Sequence, residues 1–481
     1  MTINLERILD TTLREGTQTP GVIFSPEESK RLAEKLYFAL KERGYEGSFI
    51  EIGHPYNPVL RPQVEIVANY FKERGYDDVT PVSHCRTLQS DIDTAWEIEK
   101  ELKHPGICVY MATSEKHLIH KLGKKYEEAL KIIEDVVSYS KHELDFSIVE
   151  YTAEDATSTP LDRLIEVANV VKDAGGDVYR VADTKGQMLP SEFGKLIEGL
   201  VKNTDIPIDL HCHNDFHLGI ANLLAGLEAG GTGIHTSVLG LGERVGITPL
   251  SGIVAVLEEK YGIDTKVNKE KLYDLCKYVS TISGIRIPKN FPIMGEDAVK
   301  HKAGIHQKAV LRDPSTYETF KPEDYGRERE FEIGPMVSKE LINVMFNVDR
   351  EQANDIAKRL RQYSAERGGR ALKKGEVGRI LNEEFNIKPD IAYLNDGFGG
   401  VVGIEVKPQF FSGEVADKIN KISLDDDDCA ISRIYNVTGG FELWLVIENC
   451  KNQGTYERTL NKIREIPGVE KTITMTILDE Y

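Results

Sequence analysis

Two histidines stand two residues apart in Leu210-His211-Cys212-His213-Asn214-Asp215. On an extended strand that spacing turns both imidazoles to one side. Near the start of the chain, Asp10, Arg14, Glu15 and Gln18 crowd in directly after the apolar pair Ile8-Leu9. Two same-side histidines joined by a carboxylate such as Glu15 make an N,N,O set that suits Mn, Mg, Zn or Fe. Taken alone, the first stretch reads equally as a solvated charged turn. The histidine pair could be packed core, but inward imidazoles need hydrogen-bond partners. Gly240-Leu241-Gly242-Glu243-Arg244-Val245-Gly246 adds glycines that allow close backbone approach, with Glu243 facing the same bowl. His301 and His306, with Tyr317 and Tyr325 nearby, fit a second metal site or ordinary surface histidines equally well.

The elements that must bring residue 15 beside residue 211 follow from the patterning. Between residue 6 and about 260, short apolar runs alternate with amphipathic helical patterns. The first helix has Ser25 as N-cap, Glu28 completing a capping box, and Gly44 as its stop. Eight strands, each followed by a helix, predict a (β/α)8 barrel. The competing doubly wound sheet would carry GxGxxG after its first strand, and none is there. Polar residues fall at the C-terminal ends of the strand runs: Glu51 and His54, His84 and Arg86, Glu150, Thr152 and Glu154, Arg180, Asp183 and Thr184, and His211, His213 and Asn214. In a barrel these ends converge on one face, where barrel enzymes keep their active sites.

The pattern changes after the barrel. The expected domains are a catalytic barrel over 1–265, a mainly helical connector over 266–388, and a ferredoxin-like α+β module over 389–481. The charged, glycine-containing segment near 364–377 reads as a flexible joint. The module's βαββαβ order includes a helix in Ser412–Ile422 and a hairpin at Gly439-Gly440, with Asp425–Asp428 in a solvated loop.

The chain has 481 residues, 40% of them hydrophobic, and a net charge of −18. That charge argues against nucleic acid or an anionic membrane as partner. The six cysteines form no CxxC pair, so neither a structural zinc nor a disulfide framework is expected. No basic-then-apolar leader opens the chain and no run is long enough to span a bilayer, so a reducing cytoplasm is the expected compartment.

The motifs "DTTLREG", "LHCHND", "GLGERVGITPL", "HKAGIH" and "DPSTYETFKPEDYGRE" together resemble the DRE-TIM metallolyases. They are most similar to the Claisen-condensing branch, which makes homocitrate, 2-isopropylmalate, citramalate and citrate. The end of the chain resembles the ligand-binding module of leucine-responsive regulators. The resemblance implies a divalent metal, Mn or Mg favoured, on Glu15, His211 and His213. It implies a 2-oxo acid substrate with Arg14 at its keto oxygen, Thr184 at its carboxylate, and acetyl-CoA as co-substrate. Gln18, His84, Glu150, Thr152 and Arg180 complete the implied substrate pocket. Glu243, His306 and Tyr317 match the residues that deprotonate the acetyl methyl. The latter two reach a partner's barrel, which implies a homodimer or higher oligomer, and the C-terminal module implies an amino-acid effector. Departures from the family pattern are Thr17, Lys185, His217, Leu239 and "IGPMVS". Glu150 stands where homocitrate synthases place an Arg that reads the distal carboxylate, so Arg180 or Lys185 is expected to supply that cation. The expected substrate is a dicarboxylic 2-oxo acid giving homocitrate or citrate. A 2-isopropylmalate or citramalate synthase is the alternative, and a non-catalytic amino-acid sensor a further one.

Overall fold

The computed structural model describes residues 3–389, 398–407, 430–436, 443–450 and 453–476, with single positions between 413 and 419. Strands β1 (Arg7–Asp10), β2 (Ser48–Gly53), β3 (Thr80–Arg86), β4 (Gly106–Ala112), β5 (Ile148–Glu154), β6 (Val178–Asp183), β7 (Ile208–Cys212) and β8 (Gly233–Thr236) close into a barrel in chain order. Neighbouring strands are parallel, and β1 closes on β8 with Ile8 opposite Ile234 and Asp10 opposite Thr236. This is the (β/α)8 barrel that the alternation predicts. Outward strand residues such as Ile8, Ile50, Val149 and Leu210 share one core with the helices' apolar faces. Inside, Leu9, Phe49, Val82 and Cys108 form a small apolar cluster on β1 to β4. The opposite interior wall, on β5 to β8, is ionic: Glu150, Arg180, Asp209 and His235 are all fully buried.

The first long helix, Pro26–Leu40, begins as its sequence predicts. Glu28 N–H donates to Ser25 Oγ at 3.3 Å, and Ser25 N–H donates to Glu28 Oε2 at 2.7 Å. A short 3-10 turn follows, and Gly44 ends it at φ 76°.

The chain forms two compact units, Met1–Val299 with Thr319–Arg329, and Lys300–Glu318 with Glu330–Tyr481. In the first, the returning segment is tied down by Arg327, whose guanidinium donates to the carbonyls of Ile293 and Gly295 at 2.7 and 2.6 Å. In the second, helices Lys339–Phe346, Arg350–Glu366 and Lys374–Phe385 pack around Leu341, Ile342, Ile356, Leu360, Val377 and Leu381.

The expected joint near 364–377 is not a linker. It is the tight turn between the last two of those helices, with Gly368 and Gly369 at φ 78° and 76°. Arg367 and Arg370 both pair with buried Glu376, and Leu372 N–H donates to Ile333 C=O at 2.7 Å. Ion pairs within the segment and one bond to a distant carbonyl thus hold a stretch whose composition resembles a spacer.

The C-terminal strands β9 (Phe398–Val406), β10 (Ala430–Asn436), β11 (Leu443–Cys450) and β12 (Val469–Thr476) form an antiparallel sheet in the order β10-β11-β9-β12. That is the ferredoxin-like order. Helix Gln453–Arg464 contributes Tyr456, Leu460 and Ile463 to a core with Val402, Ile404, Leu443, Leu445 and Ile447. The Asp425–Asp428 loop, the Gly439-Gly440 turn and most of the helix expected over Ser412–Ile422 lie outside the described residues. Cys85, Cys108, Cys212 and Cys276 are free, whereas Cys450 is disulfide-bonded, which the scattered spacing did not lead one to expect. Among the described residues no helix is long and apolar enough to cross a membrane.

Candidate metal and substrate site

At the C-terminal face of the barrel a cavity of about 250 Å³ opens. Its lining includes Arg14, Glu15, Gln18, His84, Thr152, Arg180, Thr184, His211, His213 and Glu243, ten of the residues that the sequence singles out. They come from six different strands or the turns after them, which is why only barrel closure brings them together.

Glu15 ends the helical turn Thr12–Glu15 that follows β1, and His211 lies on β7 with His213 just beyond its end. One ligand atom from each of Glu15, His211 and His213 lies within 4.8 Å of the other two. Nε2 of His211 is 3.4 Å from Glu15 Oε1. Burial alone would raise the Glu15 carboxyl, but Arg14, then His211 and His213, outweigh it and hold it well below the usual carboxylate range. Burial pushes His213 down to about 3 and lowers His211 as well. The set is therefore one anionic oxygen and two neutral imidazoles, the protonation a divalent cation requires. Nδ1 of His213 is buried and has no hydrogen-bond partner among the described residues. A Cβ on Gly242 would lie 2.9 Å from Glu15 Oε2, so that glycine keeps the carboxylate's flank open. These residues fit a metal. Two further clusters, Glu51–His84–Cys108 and Glu150–Asp209–His235, have similar spacing. Their carboxylates are already neutralised by Arg14, Arg180 and Arg7.

Beside the triad, Arg14 pairs with Glu15, donates from Nε to Glu51 Oε2 at 2.7 Å, and reaches Gln18 Oε1 at 3.3 Å. His84 Nδ1 lies 2.7 Å from Glu51 Oε1 and its ring stacks on Tyr110 at 4.5 Å. Burial pushes His84 down to about 3 despite that carboxylate. Thr184 Oγ1 accepts from Asp155 N–H at 2.9 Å, so its own proton is free to donate. Thr152 Oγ1 touches Cys108 Sγ at 3.1 Å. The Glu243 side chain is exposed at the rim, and its N–H points at Glu15 Oε2 from 3.4 Å.

Three expectations change. Glu150 does not line the cavity; it lies beneath it as the fully buried partner of Arg180. Lys185 does not line it either, because its ammonium is 2.8 Å from Ser158 Oγ and 3.3 Å from Asp155. Asn214 turns away to cap a helix, with Oδ1 accepting from Gly219 N–H at 3.0 Å. Conversely, Tyr110 on β4 and Lys121, which bonds Glu154 at 2.5 Å, line the cavity although the sequence reading passed them over. Neither belongs to a motif; the only signal was that strand four contributed nothing to a bowl built from its neighbours.

Two departures from the family pattern have a backbone reading. His217 and Leu239 both sit at φ 58°, a left-handed backbone that glycine and asparagine accommodate more easily. Thr17 donates to Arg14 C=O at 2.8 Å and does not line the cavity.

In the second unit, His306 and Tyr317 are exposed and stacked, with centroids 3.7 Å apart. His301 is engaged elsewhere, with Nε2 3.0 Å from Glu318 Oε1.

Residues 6–279 match the HMGL-like family and residues 293–368 the homocitrate synthase post-HMGL domain-like family. The homocitrate synthase of Sulfolobus acidocaldarius is 33% identical, covering 98% of this chain and 97% of its own. That of Sulfurisphaera tokodaii is also 33% identical, covering 98% of both. Among solved structures, the HMG-CoA lyases of Bacillus subtilis and Pseudomonas aeruginosa share the barrel, each with TM-score 0.51 over 60% of this chain. They cover 97% and 96% of their own chains at 22% and 20% identity, a likeness of fold alone. With a barrel profile spanning more than half its length and relatives matched from end to end, this chain belongs to the HMGL-like, DRE-TIM family and carries that family's homocitrate synthase post-HMGL domain.

Proposed function

We propose that this chain condenses acetyl-CoA with 2-oxoglutarate and hydrolyses the thioester to give homocitrate. The observation that carries the reading is the metal-ready triad beside Arg14, in a chain similar over its whole length to homocitrate synthases. A divalent cation held by Glu15, His211 and His213 would supply Lewis-acid polarisation of the keto group.

The chain's own residues do the rest. Arg14, fixed by Glu51 and Glu15, presents its guanidinium to the keto oxygen as negative charge grows there. Thr184 donates its hydroxyl proton to the adjacent carboxylate. His84, Thr152 and Gln18 offer polar groups to the distal carboxylate, and Arg180, already paired with Glu51 and Glu150 beneath them, adds only its charge. Glu243, His306 and Tyr317 act together to take the proton from the acetyl methyl; the methyl carbon then bonds to the keto carbon, whose oxygen takes up a proton, and water attacks the thioester carbonyl so that CoA leaves as its thiol. By family resemblance His306 and Tyr317 serve the barrel of a second copy. The C-terminal module is proposed to bind an amino-acid effector, and Mn or Mg to be the working metal.

The test is thiol release from acetyl-CoA with 2-oxoglutarate, oxaloacetate, 2-oxoisovalerate and pyruvate, each with Mn or Mg. Release with 2-oxoglutarate above the other three is expected, and its loss in His213→Ala. A preference for 2-oxoisovalerate or pyruvate would overturn the substrate assignment.

A further inference from the structure

Below the metal-ready triad, a chain of buried side chains runs down the barrel interior. His211 turns Nε2 toward Glu15 and presents Nδ1 to Nδ1 of His235, 3.4 Å away. His235 is fully buried and places Nε2 3.9 Å from Asp209 Oδ2. Asp209, also fully buried, is gripped by Arg7 through Nε at 3.1 Å and NH2 at 2.9 Å. The backbone makes room for this arrangement. A Cβ on Gly233 would sit 2.1 Å from Asp209 Oδ1, so the strand next to Asp209 must carry glycine there.

We infer that His235 is a positioning residue for the metal site: it accepts the Nδ1–H of His211 and thereby commits Nε2 of His211 to the cation. The inference rests on the reading of Glu15, His211 and His213 as ligands. An imidazole that ligates through Nε2 carries its proton on Nδ1 and needs an acceptor there. In the barrel interior His235 Nδ1 is the group within reach, so His235 carries its own proton on Nε2, on the side of Asp209. Asp209, held by Arg7, sets a negative charge 3.9 Å from that Nε2, too far for a hydrogen bond but on the side that favours a proton there. Metal-binding histidines commonly lean directly on a carboxylate or a carbonyl. Here an imidazole is interposed, which lets the carboxylate stay paired with Arg7 one layer deeper.

The experiment measures Mn binding to the full-length protein by calorimetry, in wild type, His235→Asn and His235→Leu. The amide oxygen of Asn falls near the place of His Nδ1, whereas Leu fills the space without an acceptor. Leu is expected to weaken binding about 10- to 100-fold, and Asn to restore it to within about threefold of wild type. Equal affinity in all three variants, or an equal loss in Asn and Leu, would overturn the inference. If neither variant folds, ¹⁵N-histidine spectra of the Mg-loaded wild type decide: the Nε2–H tautomer of His235, whose Nδ1 can accept, supports the role and the Nδ1–H tautomer refutes it. Failure of the underlying reading looks different. In that case His213→Ala binds Mn as tightly as wild type, whatever residue 235 is.

Discussion

Arg180 heads the fully buried side chains by size, and it is held between Glu51 Oε1 at 3.0 Å and Glu150. Removing one member of a buried, hydrogen-bonded ion set strands the others without solvent, at a cost of about 3–5 kcal/mol. Arg180→Met is therefore expected to lower unfolding free energy by about that amount, read from urea titration. A loss under about 1 kcal/mol would mean that Glu51 and Glu150 find other partners. Glu150 in the place of an expected arginine looked adverse to a dicarboxylate when only the sequence was in view. The structure shows Glu150 sharing, with Glu51 across the barrel, the guanidinium of Arg180 on the strand next to its own. That exchange was illegible because it depends on which strand neighbours which, and on side-chain reach across the interior. His211, His213 and Glu15 were legible because strand parity and barrel closure suffice to bring them together. At the same scale, His306→Ala should lower kcat about 10²- to 10⁴-fold, the usual contribution of a positioned acid or base, while 2-oxo-acid affinity stays within about twofold. Calorimetry beside steady-state kinetics checks this, and lost affinity with kcat retained would remove His306 from proton transfer.

Among the elements, the helix Gln89–Glu99 ends on a carboxylate with no exposed surface. Glu99 accepts from Gly106 N–H at 3.2 Å, but burial still pushes it up to about 8. In the unfolded chain it titrates near 4.5. Between these values the native state holds a proton that the unfolded state has released. Glu99 thus favours the fold most below about 4.5, and that advantage is lost as pH rises toward about 8. Glu99→Gln should flatten this fall, leaving the variant on the order of 2–4 kcal/mol less pH-sensitive than wild type between pH 5 and pH 8.5. Urea titrations at the two pH values test it, and parallel curves would count against a protonated Glu99. The barrel strands and the Ser25–Glu28 box were readable because their signals are local. The turn at 367–373 was not: its glycines and charges are those of a spacer, and its Arg–Glu376 ion pairs and the bond from Leu372 to the distant Ile333 carbonyl appear only once the chain has folded. His235 was missed for a related reason, being a single histidine inside a strand with its partners on β7.

For the whole molecule, the ferredoxin-ordered sheet has its own apolar core, built from Val402, Ile404, Leu445, Tyr456 and Ile463. An element with its own core can be lost without opening another. Deleting residues 398–481 is expected to leave a condensing enzyme that has lost its response to an amino acid, with lysine, leucine and glutamate tested first. Inhibition curves of full-length and truncated enzyme check this, and a full-length enzyme indifferent to all twenty amino acids would remove the regulatory proposal. The barrel has no such seam. Arg7 on β1 is neutralised by Asp209 on β7, and Glu51 on β2 by Arg180 on β6, so each ion pair joins one half of the barrel to the other. A half-barrel ending after β4 would keep one member of each pair and leave the other behind. This sets a rule for ancestry as well as for engineering. A recombinant whose crossover falls between β4 and β5 must draw residues 7 and 209 from compatible parents, and likewise 51 and 180, because the ionic interior is inherited as pairs rather than as strands.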